Sequence, residues 1–339
     1  MSAFASNCLS LLKMHKRIIF LIALLMPAFA AAQNCPAPPT APSNEKIQAL
    51  AKAAKDRGFL WKIEKDERTG YLYGTIHVNK LEWSIPGPKT IAALTASELI
   101  AFELDILDPD IQAQFSDPSK FGIKPTVLPA KLKQRMDVIA QRVCAPVAAM
   151  ALMHPIMQLA TLTILDARFA ELEMGYGSEI VMTGFARSAK KAVTSLETAE
   201  LQIRALMGGE AAEIIMSVES GLSLFEANKQ RKPVEQLISI WATSNFAEFQ
   251  NYEKWCDCVN TEAEAKFYRR LNDDRNPGLA AGIDKLHRDG KRVFAAVGAL
   301  HMTGPKALPT LLANMGYKVE RVVFETGNTL PVESPQENK

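Results

Sequence analysis

Strand-forming segments stand at both ends of this chain, with a long helical block between them. Phe59 to Lys65 and Tyr71 to Val78 read as the two arms of a hairpin joined by the turn-like Asp66-Glu67-Arg68-Thr69-Gly70. Arg292 to Gly298 is a buried-strand pattern, and Tyr317 to Phe324 alternates like a last strand. Leu99 to Leu104 and Lys191 to Leu196 are two further short runs of strand type. Glu45 to Arg57, Lys89 to Ala96, Lys131 to Met153, Ile156 to Met174, Ser178 to Ala189, Asn260 to Asn272 and Pro277 to Arg288 read as helices. Further helices start before Glu210 and at Pro233. This order implies an α/β (α+β) fold: a central mixed β-sheet formed by the N- and C-terminal strands, flanked by many helices, with a helical middle insertion. A single domain is expected over residues 45–325.

The 339 residues, 48% apolar and 22% charged, are ordinary for a globular chain with a real core. The uncharged stretch Ala148 to Leu165 reads as a core helix rather than a membrane span, because His154-Pro155 breaks it. Ahead of the domain lies the clearest local signal. Met14-His15-Lys16-Arg17 is basic, Ile18 to Phe29 is apolar, and Ala30-Ala31-Ala32 supplies an A-x-A site. Residues 1–32 thus read as a secretory signal peptide, cut after Ala32, with an apolar run short of the about 20 residues that span a bilayer. The prolines of residues 33–44 make an extended linker, and residues 326–339 read as a disordered tail. The expected location is periplasmic or secreted, with no stable membrane insertion once the signal is removed.

Export bears on the cysteines. Loss of Cys8 with the signal leaves Cys35, Cys144, Cys256 and Cys258, an even set that suggests structural disulfides in any of three pairings. Cys256-x-Cys258 lacks the second pair a zinc knuckle needs, and Cys35 follows no lipobox. With 39 basic and 37 acidic side chains and no basic stripe, nucleic acid is not an expected partner.

Histidine is rare here, with five in the chain. His15 belongs to the signal, His154 to an apolar stretch, and His287 to a charged segment read as a solvent face. The other two repeat one arrangement. His77 follows Gly74 by three residues at the end of one strand, and His301 follows Gly298 by three at the end of another. Glycine permits a close turn, and a strand end points its side chain into the crevice where open α/β sheets hold ligands. Two buried, hydrogen-bonded structural histidines would satisfy the spacing equally well.

Carboxylates shift the balance. Glu103 ends the apolar strand Leu99 to Leu104, and Glu197 ends Val193-Thr194-Ser195-Leu196. A carboxylate there must be paired, protonated or metal-bound. Arg275 could neutralise such a carboxylate or bind an anionic transition state, or form a surface salt bridge. Imidazole and carboxylate together suit a divalent transition metal with open positions, which lowers the pKa of bound water to about 7. H-E-x-x-H, G-x-S-x-G and P-loop patterns are absent from the sequence, and Cys144 has no identifiable catalytic partner.

Five segments, in order, resemble the TraB/GumN family, itself related to the Tiki metalloproteases: Tyr71-Leu72-Tyr73-Gly74-Thr75-Ile76-His77, Phe102-Glu103-Leu104-Asp105, Ser195-Leu196-Glu197-Thr198, Asp274-Arg275-Asn276 and Val297-Gly298-Ala299-Leu300-His301. The resemblance runs from about Phe59 to about Phe324. It implies a mixed sheet with flanking helices and, by analogy with the Tiki branch, a manganese- or cobalt-dependent peptidase, with zinc or iron as alternatives. It implies His77 and His301 as metal ligands and Glu103 as a ligand or general base. Glu197 would be a catalytic or supporting carboxylate, and Arg275 would orient a carboxylate or stabilise an oxyanion.

Three functions fit these residues. The first is an exported metal-dependent hydrolase, foremost a peptidase. The second keeps the site and cleaves esters or lactones. The third binds a peptide or small molecule without turnover.

Overall fold

Asp66 and Glu67 make a two-residue hairpin turn, both with positive φ (49° and 56°), the left-handed backbone that such turns require. They join β1 (Phe59–Lys65) to β2 (Arg68–Thr75) in antiparallel register, Lys65 opposite Arg68. The turn is shorter than the five residues expected from sequence, and β2 accordingly starts earlier. The computed structural model describes residues 35–37 and 39–324. The signal segment and the tail expected beyond residue 325 lie outside those residues. All elements named here belong to the compact unit that starts at Pro38.

Four more strands complete a six-stranded mixed sheet of order β4-β3-β5-β2-β1-β6: β3 (Leu99–Phe102), β4 (Ala192–Ser195), β5 (Val293–Gly298) and β6 (Lys318–Val322). β2, β5, β3 and β4 are parallel neighbours, while β1 runs antiparallel to β2 and β6. The sheet therefore joins the two ends of the chain, as the sequence implied, and is α/β in class. β4 departs from a simple insertion: it comes from the middle of the chain and splits the helical block. Thr75 pairs with Gly298, and Phe102 with both Ala296 and Ser195. Four parallel strands thus finish at one edge of the sheet.

The central strand β5 is buried almost throughout, as a strand covered on both faces must be. Phe294, Ala295 and Val297 share a core with Leu279, Ala280 and Ile283 of the helix Asn276–Arg288 and with Met182 and Ala186 of the helix Ser178–Ser188. A second core forms within the middle block, where Met136, Leu162, Val218, Leu222 and Phe225 gather three helices, Ala130–Arg142, Pro155–Ala167 and Ala211–Glu226. Among the described residues no helix is long and apolar enough to cross a membrane.

Further expectations change, and the helix expected over Ile156 to Met174 ends at Ala167, where a 3-10 turn, Arg168–Ala170, takes over. The first helix covers Asn44–Lys52 and stops short of Arg57; none of its residues is buried, so no packing extends it. The helix expected over Lys131 to Met153 ends at Arg142. Cys144 takes a positive φ of 62°, and the following Ala145-Pro146 denies the backbone a helical continuation. His287 is buried rather than solvent-facing, because Leu279 and Ile283, eight and four residues before it, put it on the core side of its helix. Its Nε2 lies 2.9 Å from the carbonyl of Lys65.

Candidate functional site

The parallel edge positions the site directly. Past β3 and β4 the pairing continues for one more step, Leu196 N–H donating to the Phe102 carbonyl and Glu197 N–H to the Glu103 carbonyl. Glu103 and Glu197 are thereby set side by side. The chain then turns into the helix Ala199–Met207, with Thr198 accepting from the Leu201 N–H as its cap. Beside them, the Gly298 N–H donates to Glu103 Oε1 at 2.7 Å. A Cβ at Gly298 would lie 3.0 Å from that oxygen, so glycine lets the carboxylate reach the backbone.

Arg275, at the start of the helix Asn276–Arg288, enters this pair of acids. Its Nη2 contacts Glu103 Oε2 and, at 2.5 Å, Glu197 Oε2. Its Nε donates to Glu197 at 3.1 Å, and its Nη1 donates to the Leu271 carbonyl at 2.8 Å and lies 3.3 Å from His301 Nε2. These contacts occupy all five guanidinium N–H groups. Gln202 bridges the same acids, 3.1 Å from each.

His301 sits in the short 3-10 turn Ala299–Met302 after β5 and is buried. Asn276 fixes its orientation. The Asn276 Nδ2 group donates to the carbonyls of His301 and Lys306, so its Oδ1 faces His301 Nδ1, at 2.5 Å. That oxygen can only accept, so the ring proton sits on Nδ1 and Nε2 presents a lone pair. Nε2 stands 3.7 Å from Glu103 Oε1.

His77 occupies the opposite wall. Ser178 accepts from the Ile76 N–H and donates to the Ile76 carbonyl, which pins the chain just before it. Gly177 passes so close that a Cβ would strike the His77 carbonyl. The imidazole Nδ1 then meets the buried Glu179 carboxylate at 3.1 Å, while the ring stays 75% exposed. Glu179 Oε1 and Thr75 Oγ1 are buried without an aligned hydrogen-bond partner.

These surroundings push the titrating groups apart. The Glu179 carboxylate raises His77 to about 9. Burial drives His301 down to about 4. Burial pushes Glu103 upward, but nearby positive charge and the Gly298 N–H outweigh it and hold the carboxyl at about 2. His301, protonated in the acid range where Glu103 titrates, supplies the largest share of that charge, followed by Arg275 and His77. Arg275 is raised against its own burial, chiefly by Glu103 and Glu197.

A cavity of about 540 Å³ opens between the two walls, lined at one end by His77, Glu103, Glu179, Arg275 and His301. All five residues expected from sequence meet here: four line the cavity, and Glu197 stands behind them against Arg275. Cys256 and Cys258, also in its wall, are bonded to each other, and Cys35 and Cys144 are not free thiols. Sequence reading missed Glu179, Gln202 and Asn276.

The TraB/PrgY/gumN family matches residues 59–321, from β1 into β6. The chain belongs to the TraB/PrgY/gumN family. No curated protein and no solved structure matches it.

A metal ion is implied by the two histidines and can be tested against the donors. Among the described residues, no group of three or more His, Cys, Asp or Glu side chains is gathered closely enough to hold one. His301 and Glu103 are nevertheless donors of the type such an ion takes, with Arg275 in contact with both. His301 offers a neutral ring with its other nitrogen tied down, and Glu103 offers an ionised carboxylate 3.7 Å away. His77 faces the same cavity with its Nδ1 held by Glu179.

Proposed function

We propose that this chain is an exported metal-dependent hydrolase that cleaves amide bonds, a peptidase of the TraB/PrgY/gumN family akin to the Tiki enzymes. One observation carries the reading: His301 Nε2, its lone pair met by Arg275 Nη1 at 3.3 Å, lies 3.7 Å from the ionised Glu103 carboxylate at the wall of an open cavity. His77, His301 and Glu103 would hold the ion, manganese or cobalt in first place and zinc or iron as alternatives. When bound, such an ion polarises a carbonyl and acidifies water.

The remaining roles follow from contacts. A carboxyl held near 2 suits a ligand better than a proton carrier, whose best pKa lies near the working pH. Arg275 has no N–H left for an oxyanion, so its part is to orient Glu103 and Glu197. Glu197 braces Arg275. Since His77 holds its proton to about 9, metal and proton compete for it. The N-terminal basic and apolar pattern supports export, and the Cys256–Cys258 disulfide suits an oxidising compartment.

A second reading is ligand binding without turnover. It is favoured by the saturation of Arg275, which leaves Glu103 and Glu197 already paired. A fluorogenic peptide library assayed with manganese, cobalt, zinc and iron separates the two. Metal-dependent cleavage that disappears in Glu103→Gln is the expected result. Tight binding with no cleavage under all four metals favours the second reading and contradicts the first.

A further inference from the structure

The cavity extends well past the charged groups. Its wall also includes the half-buried apolar side chains Leu206, Leu224, Val234 and Leu237, with Ile106 exposed and Leu271 beside Arg275. Polar groups in that stretch are tied to one another. Gln230 Nε2 donates to Thr163 Oγ1 at 3.0 Å, Thr163 donates to the Leu159 carbonyl at 3.1 Å, and Tyr252 Oη rests 3.3 Å from Cys258 Sγ. The charged end is also internally matched: Arg275 against Glu103 and Glu197, His77 against Glu179.

Those pairings select an occupant. A peptide threaded along the apolar stretch would bring amide groups to a wall with few free partners, and each one stranded weakens binding about tenfold or more. A hydrocarbon chain strands nothing and gains from every methylene buried. An anionic head would find Glu103 and Glu179 facing it, with both nearby cations already engaged, so a neutral head is required. A volume of about 540 Å³ is that of a site for a molecule of drug size, not for a water or an ion alone.

We propose that the substrate is an amide bearing a long hydrocarbon arm, with the arm lying along Leu206, Val234 and Leu237 and the neutral amide at the His77–His301 end. The bond to be broken rests on the peptidase reading, with the scissile amide carried by an acylated amino acid or short peptide whose hydrocarbon arm, not its backbone, fills the apolar stretch; the seat of the arm does not rest on it. In that reaction water adds its oxygen to the acyl carbon, the C–N bond breaks, and the nitrogen leaves with the bonding pair and a proton.

Titration calorimetry of the purified protein with N-acylglycinamides from butanoyl to decanoyl tests the seat. Affinity should tighten about fourfold per added methylene. Leu237→Trp and Val234→Trp, each checked for native circular dichroism, should weaken the decanoyl probe at least tenfold and leave the butanoyl probe within about twofold. An affinity independent of chain length overturns the proposal, as does a capped trileucine that binds more tightly than the decanoyl probe. Folded tryptophan variants that bind the decanoyl probe unchanged overturn it too. Turnover of the bound decanoyl amide with manganese is read separately. Its absence removes the hydrolase reading and leaves the chain-length slope standing.

Discussion

His301 and His77 end the same four-residue pattern and live in opposite surroundings. His301 is buried, tied at Nδ1 by Asn276 and abutted at Nε2 by Arg275. His77 is three-quarters exposed, with one ion pair, to the buried Glu179. One wall is a hydrogen-bonded frame, while the other is open to exchange protons, ions or ligand with solvent. Pairs of titrating groups held apart in this way are a recurring mark of acid–base and metal sites.

The largest break in that comparison should come from Arg275→Met. It leaves Glu103 and Glu197 buried without their cation and should lower stability by about 3–5 kcal/mol. His77→Ala strands the buried Glu179 carboxylate but removes a largely exposed ring, and should cost less, about 1–3 kcal/mol. Urea unfolding of both variants reads the contrast. Equal losses would mean that the two walls are not different in kind.

Asn276→Ala should have a smaller effect of about 1–3 kcal/mol by the same measurement, since it strands His301 Nδ1 and two carbonyls. It should also weaken metal binding by about 10–100-fold, because the ring loses its fixed tautomer. Glu179→Gln keeps an acceptor for His77 and should weaken metal binding by less than about tenfold.

The smallest effects are titrations of metal-free protein. Histidine ¹⁵N shifts should place His301 near 4 and His77 near 9, with His77 falling in Glu179→Gln. The stability signs are opposite. His301 is depressed below its ordinary 6.5, so the protein should lose stability as pH falls from 6.5 towards 4, where the unfolded chain binds the proton first. The His77 contribution is complete below 6.5 and fades as pH rises through 9. Indistinguishable midpoints would erase the distinction between the walls.

Much of this was legible in the chain itself. Period-two and apolar patterns located all six strands, β1 to β6, and the strand-end positions of His77, Glu103, Glu197 and His301 foretold one edge. Glu179, Gln202 and Asn276 escaped because their partners arrive from distant segments, and helical spacing says nothing of what a side chain meets across the molecule. Asn276 directly follows Arg275, and its adjacency was the signal available. His287 escaped for another reason. Its charged neighbours Lys285, Arg288 and Asp289 suggested solvent, although Leu279 and Ile283 marked its face as buried.

The central claim is that His301 and Glu103, with His77, share a divalent cation. Crystals soaked in manganese, measured for anomalous scattering, test it most directly. A single peak about 2–2.3 Å from both His301 Nε2 and the Glu103 carboxylate, with His77 as a third neighbour, is the predicted result. A map with no peak there, and Arg275 still filling the space against both groups, would contradict it.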